Sequence, residues 1–179
     1  MLGDLFYNQG RVPESLRSYR AAIGILGGHH QLMTEIGKKL IGAKKHRAAD
    51  FVLLNAWRDE PSWGVAPGYL AINHFQQSDW ENAERYARIS LAADGDDPVI
   101  SHILSSTLAE EGRFAEAIQW RENAIRNGEG DNWEQWSTLA RLRLTTGDTA
   151  GAGAARDSAR SRATSGDETR RVMEDFRPY

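Results

Sequence analysis

The sequence predicts an all-α protein, a solenoid of five antiparallel helix hairpins, and three observations predict it. Small residues recur at a spacing of 34, as in Ala49, Ala83 and Ala117. Larger apolar residues fall between them at helical spacing. Breakers or polar residues then appear in register where the turns must lie. The small residues form three columns: Gly3, Gly37, Ala71, Ser105 and Ala140; Ser15, Ala49, Ala83, Ala117 and Ala152; Ala22, Ala56, Ser90, Ala124 and Ala159. Two helices joined by a short turn pack closely only where the side chains at their crossing are small. Every one of these positions is Gly, Ala or Ser.

The hairpins follow in order, at approximately 1–29, 30–63, 64–97, 98–131 and 132–163, with a tail at 164–179. In the first, Phe6, Tyr19 and Ile23 fill the gaps, Gly10-Arg11 turns the chain and Gly27-Gly28 ends it. The second has Leu40, Leu53 and Trp57, turns at Lys44-Lys45 and closes at Glu60-Pro61-Ser62. The third turns at Ser78-Asp79, with His74 and Ala87 in columns otherwise held by larger apolar residues. The fourth opens with Asp97 as cap and Pro98 in the first turn. It carries Leu108, Ile118 and Ile125, turns at Gly112-Arg113 and ends at Asn127-Gly128, with Arg121 in an apolar column. The fifth resumes after one inserted residue with Leu139 and turns at Gly147-Asp148. Its Arg143, Arg156 and Arg160 replace apolar residues, and Thr149 to Ala163 is mostly Ala, Gly, Arg and Ser. That polarity is expected of a solenoid's last helix, with nothing stacked beyond it. One short helix is expected in the tail, through Val172, Met173 and Phe176.

These rows carry a resemblance. Leu2-Gly3, Phe6, Gly10, Ser15, Tyr19 and Ala22 resemble the tetratricopeptide repeat. Ile36-Gly37, Leu40, Ala49, Leu53, Ala56 and Pro61 match it again, and Leu104, Leu108, Gly112 to Ile118 and Ala124 form the clearest copy. The resemblance covers roughly residues 1–163. It implies a right-handed superhelix whose first helices line a concave groove that holds extended peptides or helices. Helical phasing then puts on that face Asp4 and Tyr7, Thr34, Lys38 and Ile41, Gly68, Ile72 and Phe75, His102, Ser106 and Ala109, and Ser137, Arg141 and Leu144. Chaperone-binding members of the family use a lysine and asparagine clamp for a terminal carboxylate. Asp4, Glu35, Val65 and Tyr69 stand in its place here, so no co-chaperone role is expected.

Composition excludes further classes. The net charge of -3 gives no footprint for nucleic acid and no polybasic signal for an anionic membrane. No apolar run approaches the roughly 20 residues that span a bilayer, so membrane insertion is not expected. No signal peptide is visible at Met1-Leu2-Gly3-Asp4. Without cysteine, thiolate chemistry and cysteine-ligated zinc are excluded. Lysine is confined to Lys38, Lys39, Lys44 and Lys45 while arginine and alanine abound, which hints at a GC-rich bacterial source.

No catalytic constellation emerges. The five histidines lack metal spacing, and His74 and His102, on neighbouring first helices, read as packing and groove-lining residues. No G-x-S-x-G elbow accompanies the serines. The glycine-rich run at Gly147 lacks a preceding strand and a phosphate-binding lysine. Asp94-Gly95-Asp96-Asp97 reads as helix capping rather than a calcium loop. The basic turn Lys44-Lys45-His46-Arg47 reads as a solvated surface. Trp57, Trp80 and Trp136 fall in core columns, and Trp63, beside Pro61, reads as packing locally rather than as a recognition anchor. Arg113, Glu84 and Gln119 belong to the solvated outer side.

The expected function is therefore a non-catalytic protein-interaction scaffold or adaptor, with no metal and no cofactor. Its groove, at Tyr7, Lys38, Ile72, Phe75, His102 and Arg141, would hold a protein or peptide segment. The alternatives are an accessory module of a larger enzyme and a structural subunit of a multi-chain assembly. At the N-terminal end, Leu2, Leu5 and Phe6 are expected to lie uncovered, which suits a stacking partner, self-association or a preceding hairpin.

Overall fold

The computed structural model describes residues 3, 5, 6, 9–26, 29–128 and 132–174. Among these are ten helices and no strand: α1 (Val12–Leu26), α2 (His30–Gly42), α3 (His46–Asp59), α4 (Val65–Phe75), α5 (Trp80–Asp94), α6 (Pro98–Glu110), α7 (Phe114–Arg126), α8 (Trp133–Thr145), α9 (Thr149–Arg162) and α10 (Gly166–Glu174). Gly3, Leu5 and Phe6 also hold helical backbone. Helices α2 and α3, α4 and α5, α6 and α7, and α8 and α9 pack in pairs, and each pair stacks on the next. The result is an all-α, right-handed superhelical solenoid of antiparallel hairpins.

The turns repeat one device. Gly10, Lys44, Ser78, Gly112 and Gly147 all have positive φ, between 57° and 83°. The next amide donates five residues back each time: Arg11 to Phe6 at 2.9 Å, Lys45 to Leu40 at 2.9 Å, Asp79 to His74 at 3.0 Å, Arg113 to Leu108 at 2.8 Å and Asp148 to Arg143 at 2.9 Å. This left-handed cap satisfies the last carbonyls of the first helix. Side-chain caps then start several helices: Asp79 accepts from the Asn82 amide, Asp97 from Val99 and Ile100, Asn132 from Gln135, and Asp148 from Gly151.

The small-residue columns lie at the crossings, and the residues described there are buried. A Cβ on Gly37 would sit 2.5 Å from Leu53, so the crossing of α2 and α3 has no spare volume. Where a serine stands in a column, its hydroxyl bonds the backbone opposite: Ser15 Oγ to the Gly3 carbonyl at 2.8 Å, and Ser105 Oγ to the Ala117 carbonyl at 2.7 Å. The polar atom is satisfied without added bulk. One apolar cluster runs from Tyr19 to Leu142, and a second gathers Leu139, Ala140 and Ala155 beneath Trp136 and Ile125.

The structure corrects two expectations. Helix α9 is not the uncovered end, because α10 folds back onto α8 and α9 and buries Val172 completely. Glu168 of α10 accepts from the Thr164 amide at 2.6 Å and hydroxyl at 2.9 Å, which with Ser165 and then Trp133 of α8 lowers its pKa. Phe176 lies outside the described residues. Nor are Glu84 and Arg113 simply solvated. Arg113 pairs with Glu84 at 2.7 Å, Glu116 at 2.8 Å and Glu111 at 3.2 Å, while Arg88 pairs with Glu84 and Glu116. Long arginines bridge successive second helices where the stacking brings acidic residues within reach.

The tryptophans pack rather than protrude. Trp57 meets Tyr86 edge-on at 6.0 Å, Trp80 lies 5.4 Å from Phe75, and Trp63 sits edge-on to His30 at 4.6 Å.

Candidate functional site

The first helices α2, α4 and α6 touch in succession, while α6 and α8 approach each other less closely. Among the described residues, two clefts open along this row. The upper one, of about 190 Å³, lies between α4 and α6. Val65, Tyr69 and Ile72 of α4 face Val99 and Ile100 of α6, and Ser90, Asp94 and Asp97 form its polar margin. Its floor is Gly68, where a Cβ would approach Ser90 Oγ to 3.0 Å and Ile100 to 3.1 Å. Lys38 reaches over from α2, its ammonium 5.8 Å from the centre of the Tyr69 ring. Hydrogen bonding to Tyr69, with Glu35 nearby, raises the Lys38 pKa.

The lower cleft, of about 300 Å³, lies between α6 and α8. His102, Ser106, Ala109 and Glu110 form one wall, and Thr138, Arg141, Leu142 and Thr145 the other. Arg121 enters from α7 behind them. Its side chain is 1% exposed. Nη2 donates to Ser106 Oγ at 2.9 Å, and Nη1 lies tightly against both His102 Nδ1 and Gln135 Oε1. Nε, also buried, has no partner among the described residues. Burial, reinforced by Arg141, lowers the Arg121 pKa to about 10. His102 Nδ1 also lies 3.0 Å from Gln135 Oε1, and the guanidinium beside the ring disfavours its protonated form. Burial first and Arg121 second push the His102 pKa below its ordinary value, in agreement.

The structure thus separates the candidate residues into two groups. Ile72 lines the upper cleft, with Lys38 beside its Tyr69, and His102 and Arg141 line the lower. Phe75 is half-buried and packs on Trp80 and the core. Tyr7 and Asp4 lie outside the described residues. Thr34, Ile41 and Ser137, expected on the open face, are buried. They flank the exposed line of their helices, and neighbouring elements cover those flanks. His74 and His102 have separate partners: His74 bonds Asp79 at 2.9 Å and stacks on Tyr86 at 5.4 Å.

Sequence reasoning did not include Arg121 or Tyr69 in the site. The signal for Arg121 was present, since a charged residue occupies the column of Tyr19, Leu53 and Ala87. Tyr69 registered only as a clamp residue replaced. Among the described residues no cluster of three or more His, Asp or Glu could hold a metal ion.

A stack of hairpins with a lined concave face defines the chain as a helical-repeat protein. Residues 70–132 match the family model described as tetratricopeptide repeat. No curated protein matches its sequence. Among solved structures it is similar to MamA, with a TM-score of 0.77 at 15% identity, covering 90% of this chain and 94% of that one. PilF of Pseudomonas aeruginosa gives 0.74 at 19% identity, over 97% of this chain and 79% of that one. YrrB, described as a TPR protein with an unusual peptide-binding site, gives 0.73 at 13% identity, over 96% and 88%. Likeness at these identities is a likeness of fold. Tetratricopeptide-repeat proteins are generally interaction modules without catalytic activity.

Proposed function

We propose that the chain is a non-catalytic scaffold that holds a partner's peptide segment along its concave face. The observation that carries this reading is the pair of neighbouring clefts. The upper has apolar walls from Ile72, Val99 and Ile100 beside a lysine, and the lower is polar and cationic. That sequence suits a segment with an apolar anchor followed by polar groups. The peptide-binding site described for YrrB, on the same fold, supports it as well. Lys38, Ile72, His102 and Arg141 are assigned to the groove, with Phe75 supporting it through Trp80.

The test is selection of dodecamer peptides from an unbiased display library, followed by affinity measurement. Ile72→Glu and Lys38→Glu are expected to weaken the selected peptides tenfold or more. Gln119→Lys, on the exposed outer side, is expected to leave them unchanged. Peptides indifferent to both groove changes would place binding elsewhere. A second contact is proposed at the N-terminal end, where Leu5 is 52% exposed. Its test is sedimentation of a Leu5→Glu, Phe6→Glu variant, which is expected to lose any self-association.

A further inference from the structure

The geometry points to the lower cleft as a receptor for a side-chain carboxylate, an Asp or Glu of the bound segment, held by Arg121 with Arg141 at the rim. This rests on the groove reading and adds the chemistry of what the groove selects. Arg121 is a buried cation with no paired anion among the described residues. Its three acceptors, His102, Gln135 and Ser106, are all neutral. Buried charges are ordinarily paired, and a buried cation left unpaired is strongly unfavourable. Other arginines show what pairing looks like in this chain: Arg113 meets three carboxylates and Arg143 meets Glu122 at 2.6 Å. Arg121 has none among the described residues, and its buried Nε has no hydrogen-bond partner there.

The surroundings favour an anion arriving from the groove. The charge that acts on Arg121 is another cation, Arg141, which lines the same cleft. Ser106 and Thr138 line it too, offering hydroxyl donors. Glu110 is the one acidic residue in the lining, and it is solvent-exposed. Of the two sides of an incoming carboxylate, one would meet the guanidinium and the other Arg141. Planar guanidinium groups are suited to such an acceptor. His102 and Gln135 hold Nη1 and Ser106 holds Nη2, so the geometry of the guanidinium is set before the ligand arrives. The apolar cleft beside it would take the segment's anchor.

The experiment uses peptides selected by display on the full chain, synthesised with amidated C-termini so that a terminal carboxylate is absent. Selection is expected to enrich Asp or Glu at a fixed spacing from an apolar residue. Changing that Glu to Gln should weaken binding to the parent protein about tenfold or more, the range of a hydrogen bond to a charged group. On Arg121→Met the same change should matter less than about twofold. Arg121→Met should also melt at a higher temperature than the parent, because an apolar side chain of similar length replaces an unpaired buried charge. Arg141→Gln, at an exposed position, should weaken the acidic peptide several-fold with the melting temperature unchanged. Selected peptides without an acidic preference, or an equal Glu-to-Gln loss in parent and Arg121→Met, would overturn the assignment while leaving the groove intact. Peptides that bind Ile72→Glu as well as the parent would instead overturn the groove itself.

Discussion

Asn73 of α4 is locked to His46 of α3 through both ends of its amide. Nδ2 donates to the His46 carbonyl at 3.1 Å, and Oδ1 meets His46 Nδ1 at 2.7 Å. The same Nδ2 reaches Asp50 at 2.7 Å, and Asp50 lies 3.5 Å from His74. Asn73 is fully buried, so this bridge fixes the second hairpin on the third with polar groups rather than apolar ones. His46 belongs to the basic turn, yet its ring is engaged in packing rather than free in solvent.

Asn73→Ala should therefore destabilise the fold by about 1–3 kcal/mol, because it leaves His46 and Asp50 without their donor or acceptor. Gln119→Ala, on the exposed outer side, should stay within about 0.5 kcal/mol. Denaturant unfolding of the two variants decides the matter. Equal midpoints would mean that the bridge carries no net stability.

The turns supply the second prediction. Lys44 and Ser78 adopt φ of 57° and 58° where the equivalent turns have glycine. A side chain in that region costs about 1–2 kcal/mol, and glycine loses roughly 0.5–1 kcal/mol to chain entropy. Lys44→Gly and Ser78→Gly should each raise stability by about 0.5–1 kcal/mol. Gly112→Ala should lower it by a similar amount. A melting temperature that falls for both glycine variants would show that the turns are not strained.

How much of this was legible in the sequence follows from the range of each interaction. The crossings and turns were readable, since Gly37 and Leu53, or Ser78 and Asp79, belong to one hairpin and repeat at one spacing. The groove was half readable. Phasing placed Lys38, Ile72, His102 and Arg141 on one side, but it could not tell the exposed line of a helix from its flanks. Thr34 and Ser137 consequently turned inward. The Arg121 site was visible only as a break in an apolar column. Its partners come from α6 and α8, and no local pattern joins three helices. The docking of α10 rests on Val172, one apolar residue in a polar tail, which periodicity does not detect.

Glycines separate packing from propensity. Gly37→Ala places a Cβ 2.5 Å from Leu53, a neighbour that is itself fully buried. The change should cost about 1–3 kcal/mol through overpacking, as should Ala83→Leu at the next hairpin's crossing. At Gly153, inside α9, an added Cβ meets nothing within 4 Å. Gly153→Ala should therefore stabilise by up to about 1 kcal/mol from helix propensity alone. Chemical denaturation of the three variants tests the register directly. A destabilising Gly153→Ala together with a neutral Gly37→Ala would contradict it.

The last prediction is the response to acid. His102 carries a pKa held below its model-peptide value of 6.5, first by burial and then by Arg121. The unfolded chain therefore takes up this proton at a higher pH than the folded one. Stability from the neutral ring is fully present above about pH 6.5 and is lost as the pH falls toward the folded pKa. Arg121 and Gln135 contact the ring, so a proton there would set two cations side by side. The carboxylates with lowered pKa, Glu84 and Asp79 among them, act in a lower window, below their ordinary 4.5 and 3.8. Unfolding free energies between about pH 5 and 7 should thus fall on acidification in the parent. His102→Gln keeps an acceptor for Arg121 but cannot titrate, and its curve should be flatter over that interval. Parallel curves for parent and variant would mean that His102 does not govern the response.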